Sequence, residues 1–134
     1  MHRTEFWLVE HCIGPLGLGT LIVKPERHVT RVADLLPGES AELGPLLQRA
    51  SWVAGQLVDA AQVYNCLWSH AGGMPGHLHY VVQPVTSQQI SEHQCHGPKL
   101  QVAMFAAAIA PEADDLAAVA DQARRLFGSD NGVG

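Results

Sequence analysis

The chain has 134 residues, 47% of them hydrophobic and 16% charged, with a formal charge of −5. That length supports one domain with a buried core, and the acidic balance with only eight scattered Lys and Arg residues argues against a nonspecific DNA or RNA binder, so any phosphate ligand must be held locally. No apolar run approaches the roughly 20 residues that span a bilayer, residues 1–5 lack the basic-then-apolar pattern of an export segment, and Cys12, Cys66 and Cys95 are too widely spaced for a disulfide framework; a cytoplasmic protein with reduced thiols is expected.

Phe6 to Val9 and Thr20 to Val23 are β-prone, with Gly14, Pro15, Gly17 and Gly19 between them, so two strands joined by a glycine-rich turn are expected. The turn lacks the lysine and following hydroxyl of a phosphate-binding loop. From Pro37 to Asp59, Leu43, Leu46, Leu47, Ala50, Val53, Ala54 and Leu57 recur at three- and four-residue steps, which predicts the main helix and its buried face. Pro45 has no backbone N–H and clashes inside a regular helix, so a short turn is expected before it and the long helix after it. Trp52 falls off this stripe and is assigned to a partner-facing surface.

Val63 to Trp68 reads as a strand that ends in the loop Ser69 to Gly73 and pairs antiparallel with the segment that follows. Residues 88–98 are polar and assigned to a loop, while Leu100 to Ile109 are apolar without a period that separates helix from strand. A last helix is predicted from Leu116, Val119, Ala120, Ala123, Leu126 and Phe127, with acids at Glu112, Asp114 and Asp115 and bases at Arg124 and Arg125 matching the helix dipole. Gly128 marks its stop. A single domain over 1–128 and a flexible tail over 129–134 are expected.

The chemistry concentrates in residues 71–84, where Gly72-Gly73 precede His77-Leu78-His79 and an apolar run. In extended backbone His77, His79 and Val81 share one face, and Leu78, Tyr80 and Val82 the other. A histidine pair so spaced serves as metal ligands, as a catalytic pair, or as ordinary strand residues satisfied by hydrogen bonds. A zinc site could draw on His93, Cys95 and His96 with His11 and Cys12, but adjacent Cys95 and His96 are not a spaced ligand pair and no Cys-x-x-Cys is present; no metal is expected. Trp68 offers base stacking or core packing, of which core is expected, and Ile22 and Leu8 are further candidates to line a nucleoside pocket.

Thr20-Leu21-Ile22-Val23-Lys24-Pro25-Glu26-Arg27-His28-Val29, then Asp34-Leu35, Ala41-Glu42-Leu43, and Ala71-Gly72-Gly73 through Gln83-Pro84 resemble, in order and spacing, the histidine-triad (HIT) family of nucleotide-binding proteins. The resemblance spans roughly residues 16–85 and implies an α+β, HIT-like fold, with an antiparallel sheet and a long helix, to which the C-terminal helix is added. It further implies a homodimer that hydrolyses or transfers nucleoside monophosphate groups. On this resemblance His79 is the middle histidine and the nucleophile, His77 holds the first triad position and orients its surroundings, and His28 is a further histidine near the phosphate. A neutral imidazole nitrogen can attack phosphorus and form a covalent nucleotidyl intermediate.

Val81 stands where the family has its third histidine, and Gly73 where many members have glutamine. If each absent group supplies a charge-assisted hydrogen bond of about 1.5–3 kcal/mol, losing one costs roughly ten- to a hundredfold in rate. Ser69, His70 and the backbone amides of Gly72 and Gly73 are the expected replacement donors to phosphate. The expected function is a nucleotide-binding hydrolase or nucleotidyltransferase acting on a nucleoside phosphate derivative, with no cofactor and neither nucleic acid nor membrane as partner. The alternative is a noncatalytic nucleotide-binding protein that kept the pocket.

Overall fold

The computed structural model describes residues 1–129; residues 130–134 of the expected tail lie outside the described residues. Strands β1 (His2–Arg3), β2 (Trp7–His11) and β3 (Leu21–Pro25) lead to helix α1 (Pro37–Leu57). Strand β4 (Ala60–Leu67), the small hairpin β5 (His70–Ala71) and β6 (Met74–Pro75), and strand β7 (Tyr80–Thr86) follow. Helices α2 (Ser87–His93), α3 (Pro98–Ala107) and α4 (Ala113–Gly128) complete the described chain. The main sheet runs β1-β2-β3-β7-β4 with every neighbouring pair antiparallel. The expected α+β arrangement, an antiparallel sheet with a long helix and a C-terminal helix, is therefore present, as is the expected pairing of β4 with β7.

Side-chain alternation sorts the sheet into two apolar layers. On one face Trp7, Val9, Leu21, Val23 and Val82 pack on the α1 stripe of Leu46, Ala50, Val53 and Ala54 and on Ala123 and Phe127 of α4. On the other, Val81 and Val85 meet Leu16 together with Leu100 and Met104 of α3. Each of the valine, leucine, methionine and phenylalanine side chains, once fully buried, contributes roughly 1.5–3 kcal/mol relative to exposure.

Three expectations are corrected here, and one left open is settled. Helix α1 continues through Pro45 instead of starting after it. Pro45 and Ala41, four residues earlier, both lie on the exposed face, so the carbonyl that Pro45 leaves without a helical donor can be satisfied by water. Residues 88–98 are not one loop, because Thr86 and Gln89 form a reciprocal cap that starts α2: Gln89 N–H donates to Thr86 Oγ1 at 3.1 Å and Thr86 N–H donates to Gln89 Oε1 at 2.9 Å. The ambiguous run after Leu100 is helix α3, with Pro98 in its first turn and Ala108 closing it at φ 54°. Trp52 is half-buried against the main core, with the Arg49 guanidinium 4.8 Å above its ring, instead of forming a free partner surface.

Helix α1 is tied to the strands by Glu39, whose side chain is 2% exposed. Its carboxylate accepts from Leu36 N–H at 2.7 Å and from Arg27 Nη2 at 2.8 Å and Nε at 3.3 Å, while its backbone carbonyl accepts the Trp7 indole N–H at 2.9 Å. The hydrogen bond from Arg27 holds the carboxyl below its ordinary value of 4.5, against the opposing push of burial. As pH falls, the unfolded chain therefore takes up this proton first, so the stabilisation is fully present above about 4.5 and is lost as pH drops through the lowered folded-state value. Urea midpoints should fall with acidification over that window in the native protein and less steeply in Glu39→Gln. At neutral pH, Arg27→Met should cost about 1.5–3 kcal/mol, and an unchanged midpoint would show that Arg27 does not support the buried carboxylate.

Candidate active site

The segment before β7 is held by the segment that follows β3. Leu78, fully buried, donates its N–H to the Val29 carbonyl at 2.7 Å. On either side of it the two histidines point to different work. His77 accepts the Val29 N–H on Nδ1 at 3.3 Å and donates Nε2–H to the Pro25 carbonyl at 2.9 Å, so both ring nitrogens are occupied. The exposed His28 ring stacks on His77, centroids 5.2 Å apart and 15° from parallel.

His79 has the complementary arrangement. Its Nδ1 lies 3.0 Å from the His77 carbonyl, and a carbonyl can only accept, which puts a proton on Nδ1 and, in the neutral ring, leaves the lone pair on Nε2. Residues 77–79 precede β7, which begins at Tyr80, but His79 and Val81 still share a face. Together they line a cleft of about 260 Å³. Its apolar walls come from Leu16, Ile22 and Phe105, and its further polar groups are Cys12, His70 and Gln101.

The cleft thus brings together His79 and His70 of the expected site residues. His77 and His28 stand behind it, with His77 fixing the backbone whose carbonyl orients His79. Ser69 does not line the cleft; its carbonyl accepts the Gly76 N–H at 3.1 Å and closes the base of the β5–β6 hairpin. Gly72 and Gly73 are the two turn residues of that hairpin, at φ 58° and 80°, and two successive positive φ values are what a tight hairpin of this kind requires. They are exposed and outside the cleft lining, so a hairpin turn accounts for the glycine pair without a close approach to phosphate.

The opposite wall was not legible as part of a site. Trp68 is 63% exposed instead of core, and its indole N–H donates to Gln101 Oε1 at 3.4 Å. Gln101 Nε2 donates to Gln83 Oε1 at 3.1 Å, and Gln83 Nε2 donates to the Leu16 carbonyl at 3.2 Å. A single glutamine inside each of two apolar runs was the available signal, since a polar side chain is buried only with partners. Leu8 is not among the cleft residues, whereas Ile22 is. A wider hollow of about 510 Å³ opens on the far side of Trp68, between Tyr64 and Asn65 of β4 and Pro98 of α3.

The glycine-rich turn between β2 and β3 is pinned by His11. Its Nδ1–H donates to the Cys12 carbonyl at 2.7 Å and its Nε2 accepts the Gly19 N–H at 2.8 Å. Burial holds the imidazole below its ordinary value of 6.5, opposed by the bond to Cys12. The turn carries Cys12, whose thiol burial pushes up despite the hydrogen bond from Gly14, and a thiol so shifted remains protonated and weakly nucleophilic at neutral pH. Among the described residues no group of three or more His, Cys, Asp or Glu is arranged to hold a metal ion, so His93, Cys95 and His96 do not form such a group with His11 and Cys12.

No protein-family model matches the chain, and no curated protein matches it in sequence. Solved structures do match. A hypothetical histidine triad nucleotide-binding protein from Sulfolobus tokodaii superposes with a TM-score of 0.69 at 17% identity, over 99% of this chain and 89% of that one. A HIT-like protein from Bartonella henselae, described as involved in cell-cycle regulation, gives 0.69 at 13% identity, over 93% of this chain and 83% of its own. The NitFhit protein of C. elegans gives 0.66 at 18% identity over 92% of this chain, which spans only 26% of NitFhit. At these identities the likeness is one of fold.

Proposed function

We propose that this chain, which has the histidine-triad fold, is a nucleotide-binding hydrolase or nucleotidyltransferase that uses His79 as its nucleophile. The observation that carries the reading is the His79 Nδ1–H bond to the His77 carbonyl at 3.0 Å, which selects the tautomer whose neutral ring carries its lone pair on Nε2, on a residue lining a cleft with apolar walls. The substrate is a nucleoside monophosphate joined to a leaving group through an ester, anhydride or phosphoramidate bond. In the first step the Nε2 lone pair forms a bond to phosphorus as the bond to the leaving group breaks; that group departs with the electron pair and takes a proton from water. In the second step water adds to phosphorus and releases a proton, the N–P bond breaks, and neutral His79 returns. Splitting one displacement into two is the advantage of a covalent intermediate.

In this reading His77 and His28 support the arrangement from behind, and His70, which lines the same cleft, donates to a phosphate oxygen. A homodimer belongs to the same reading. Its support is β4, an eight-residue strand at the end of the sheet with no partner on its outer edge among the described residues. Free Cys12, Cys66 and Cys95 accord with a cytoplasmic setting, and no described helix is long and apolar enough to cross a membrane.

The test is incubation with a panel of adenylated and guanylated esters, anhydrides and phosphoramidates, followed by intact-protein mass measurement and product analysis. Turnover or a nucleotidyl adduct is expected, and neither across the panel would sink the catalytic reading. Nucleotide binding without reaction would instead support a noncatalytic binding protein, the reading that the apolar Val81 favours.

A further inference from the structure

The cleft beside His79 lacks a polar group on β7 at Val81, which is 8% exposed and presents only methyl groups. The register of β4 on β7 sets Cys66 opposite Val81 and Tyr64 opposite Gln83, so these four residues share the sheet face that α3 covers. Helix α3 lays Gln101 on that row. Gln101 is 9% exposed, lines the cleft together with His79 and Val81, and reaches both strands.

Its amide has one orientation. An indole nitrogen only donates, so the Gln101 atom that faces Trp68 at 3.4 Å must be Oε1. Nε2 then commits one hydrogen to Gln83 Oε1 at 3.1 Å, and Gln83 is itself anchored on the Leu16 carbonyl. The second Nε2 hydrogen meets only the Cys66 sulfur at 3.5 Å, a weak acceptor. A phosphate oxygen is a far better one because the bond becomes charge-assisted. The bond to sulfur is the weakest of the three, so giving it up for a phosphate oxygen in the cleft that Gln101 lines leaves the two firmer bonds to hold the amide, which is the condition for a preorganised donor.

Resting on the reading of His79 as nucleophile, we propose that Gln101 donates this second Nε2 hydrogen to a nonbridging oxygen of the phosphoryl group under attack, so that α3 supplies the donor that β7 lacks at Val81. Trp68 and Gln83 are the positioning residues: one fixes the oxygen end of the amide and the other its nitrogen end. The step moves no proton and needs no further reactant.

The experiment is rapid-quench measurement of nucleotidyl-adduct formation, read by intact mass, on a nucleoside monophosphate bearing a nitrophenolate leaving group. Gln101→Met, which keeps the length and removes the donor, should slow the adduct step about ten- to a hundredfold. Gln101→Glu keeps the shape and the acceptor for Trp68, places a negative charge near the phosphate, and should slow it at least as much; it remains informative where Gln101→Met does not fold. Val81→His should raise the rate more in the Gln101→Met background than in the native protein, because both groups would then serve the same oxygen. Adduct formation at the native rate in both Gln101 variants would overturn this inference and leave the nucleophile reading standing, and an equal effect of Val81→His in both backgrounds would do the same. No adduct in the native protein would remove both.

Discussion

Replacing His79 with glutamine is expected to lower nucleotidyl-adduct formation and turnover by on the order of 10⁴- to 10⁶-fold, the scale on which an enzyme loses rate when its covalent nucleophile is deleted. The substitution isolates the lone pair. A glutamine amide can still donate to the His77 carbonyl, which His79 Nδ1 meets at 3.0 Å, but its nitrogen has no free electron pair for phosphorus. His79 is only half-buried at the cleft, so stability should change by less than about 1 kcal/mol and nucleotide binding should persist. Single-turnover rates paired with a calorimetric nucleotide titration separate these quantities. The adduct, mapped by peptide mass, should sit on residue 79. Full activity in His79→Gln would displace the nucleophile to another group, and His70, the other imidazole in the cleft, is the one to test by His70→Gln.

Trp7→Ala should be the most damaging substitution for the fold. Trp7 is fully buried between the sheet and α1, its ring 6.3 Å from that of Tyr80 and tilted by 56°, and its indole N–H donates to the Glu39 carbonyl at 2.9 Å. Truncating a buried tryptophan costs about 3–5 kcal/mol, a large share of the roughly 5–15 kcal/mol by which a domain is stable. Trp7→Phe keeps most of the volume but removes one of two donors to the Glu39 carbonyl, which keeps its partner within α1, and should cost about 0.5–1.5 kcal/mol for the lost bond. Urea denaturation of the three proteins should give that order. A loss below about 1 kcal/mol for Trp7→Ala would contradict the core position, since only surface-like sites tolerate such a change. Because Tyr80 directly follows His79, Trp7→Ala should also loosen His79, seen, on the proposed reading, as slower adduct formation below the melting transition.

Much of the scaffold was legible because it is written in local periods. The three- and four-residue spacing of Leu46, Ala50, Val53 and Ala54 defines a buried helical face wherever the helix packs, and those residues do form the core side of α1. The final helix was readable from Ala123 and Phe127 for the same reason. Pro45 misled because its cost depends on whether the carbonyl it orphans faces solvent, and that depends on how the whole helix is docked. Helix α2 was hidden by polar composition, although Thr86 and Gln89 carry the spacing of a reciprocal cap.

The sequence by itself determined the β-prone runs, the apolar stripes of the long and C-terminal helices, and the His77-Leu78-His79 segment with Val81 following on the face of His79. These follow from backbone geometry over a few residues, which repeats at 2.0 or 3.6 positions regardless of surroundings. Only the tertiary structure decided that His79 shares a cleft with His70, and that Trp68 and Gln101 form its facing wall with Gln83 buried behind them. The bond from Trp68 to Gln101 joins residues 33 positions apart, and no local period encodes it. It exists because α3 must cover the second apolar face of the sheet, and burying Gln101 there without amide partners would cost more than its packing returns.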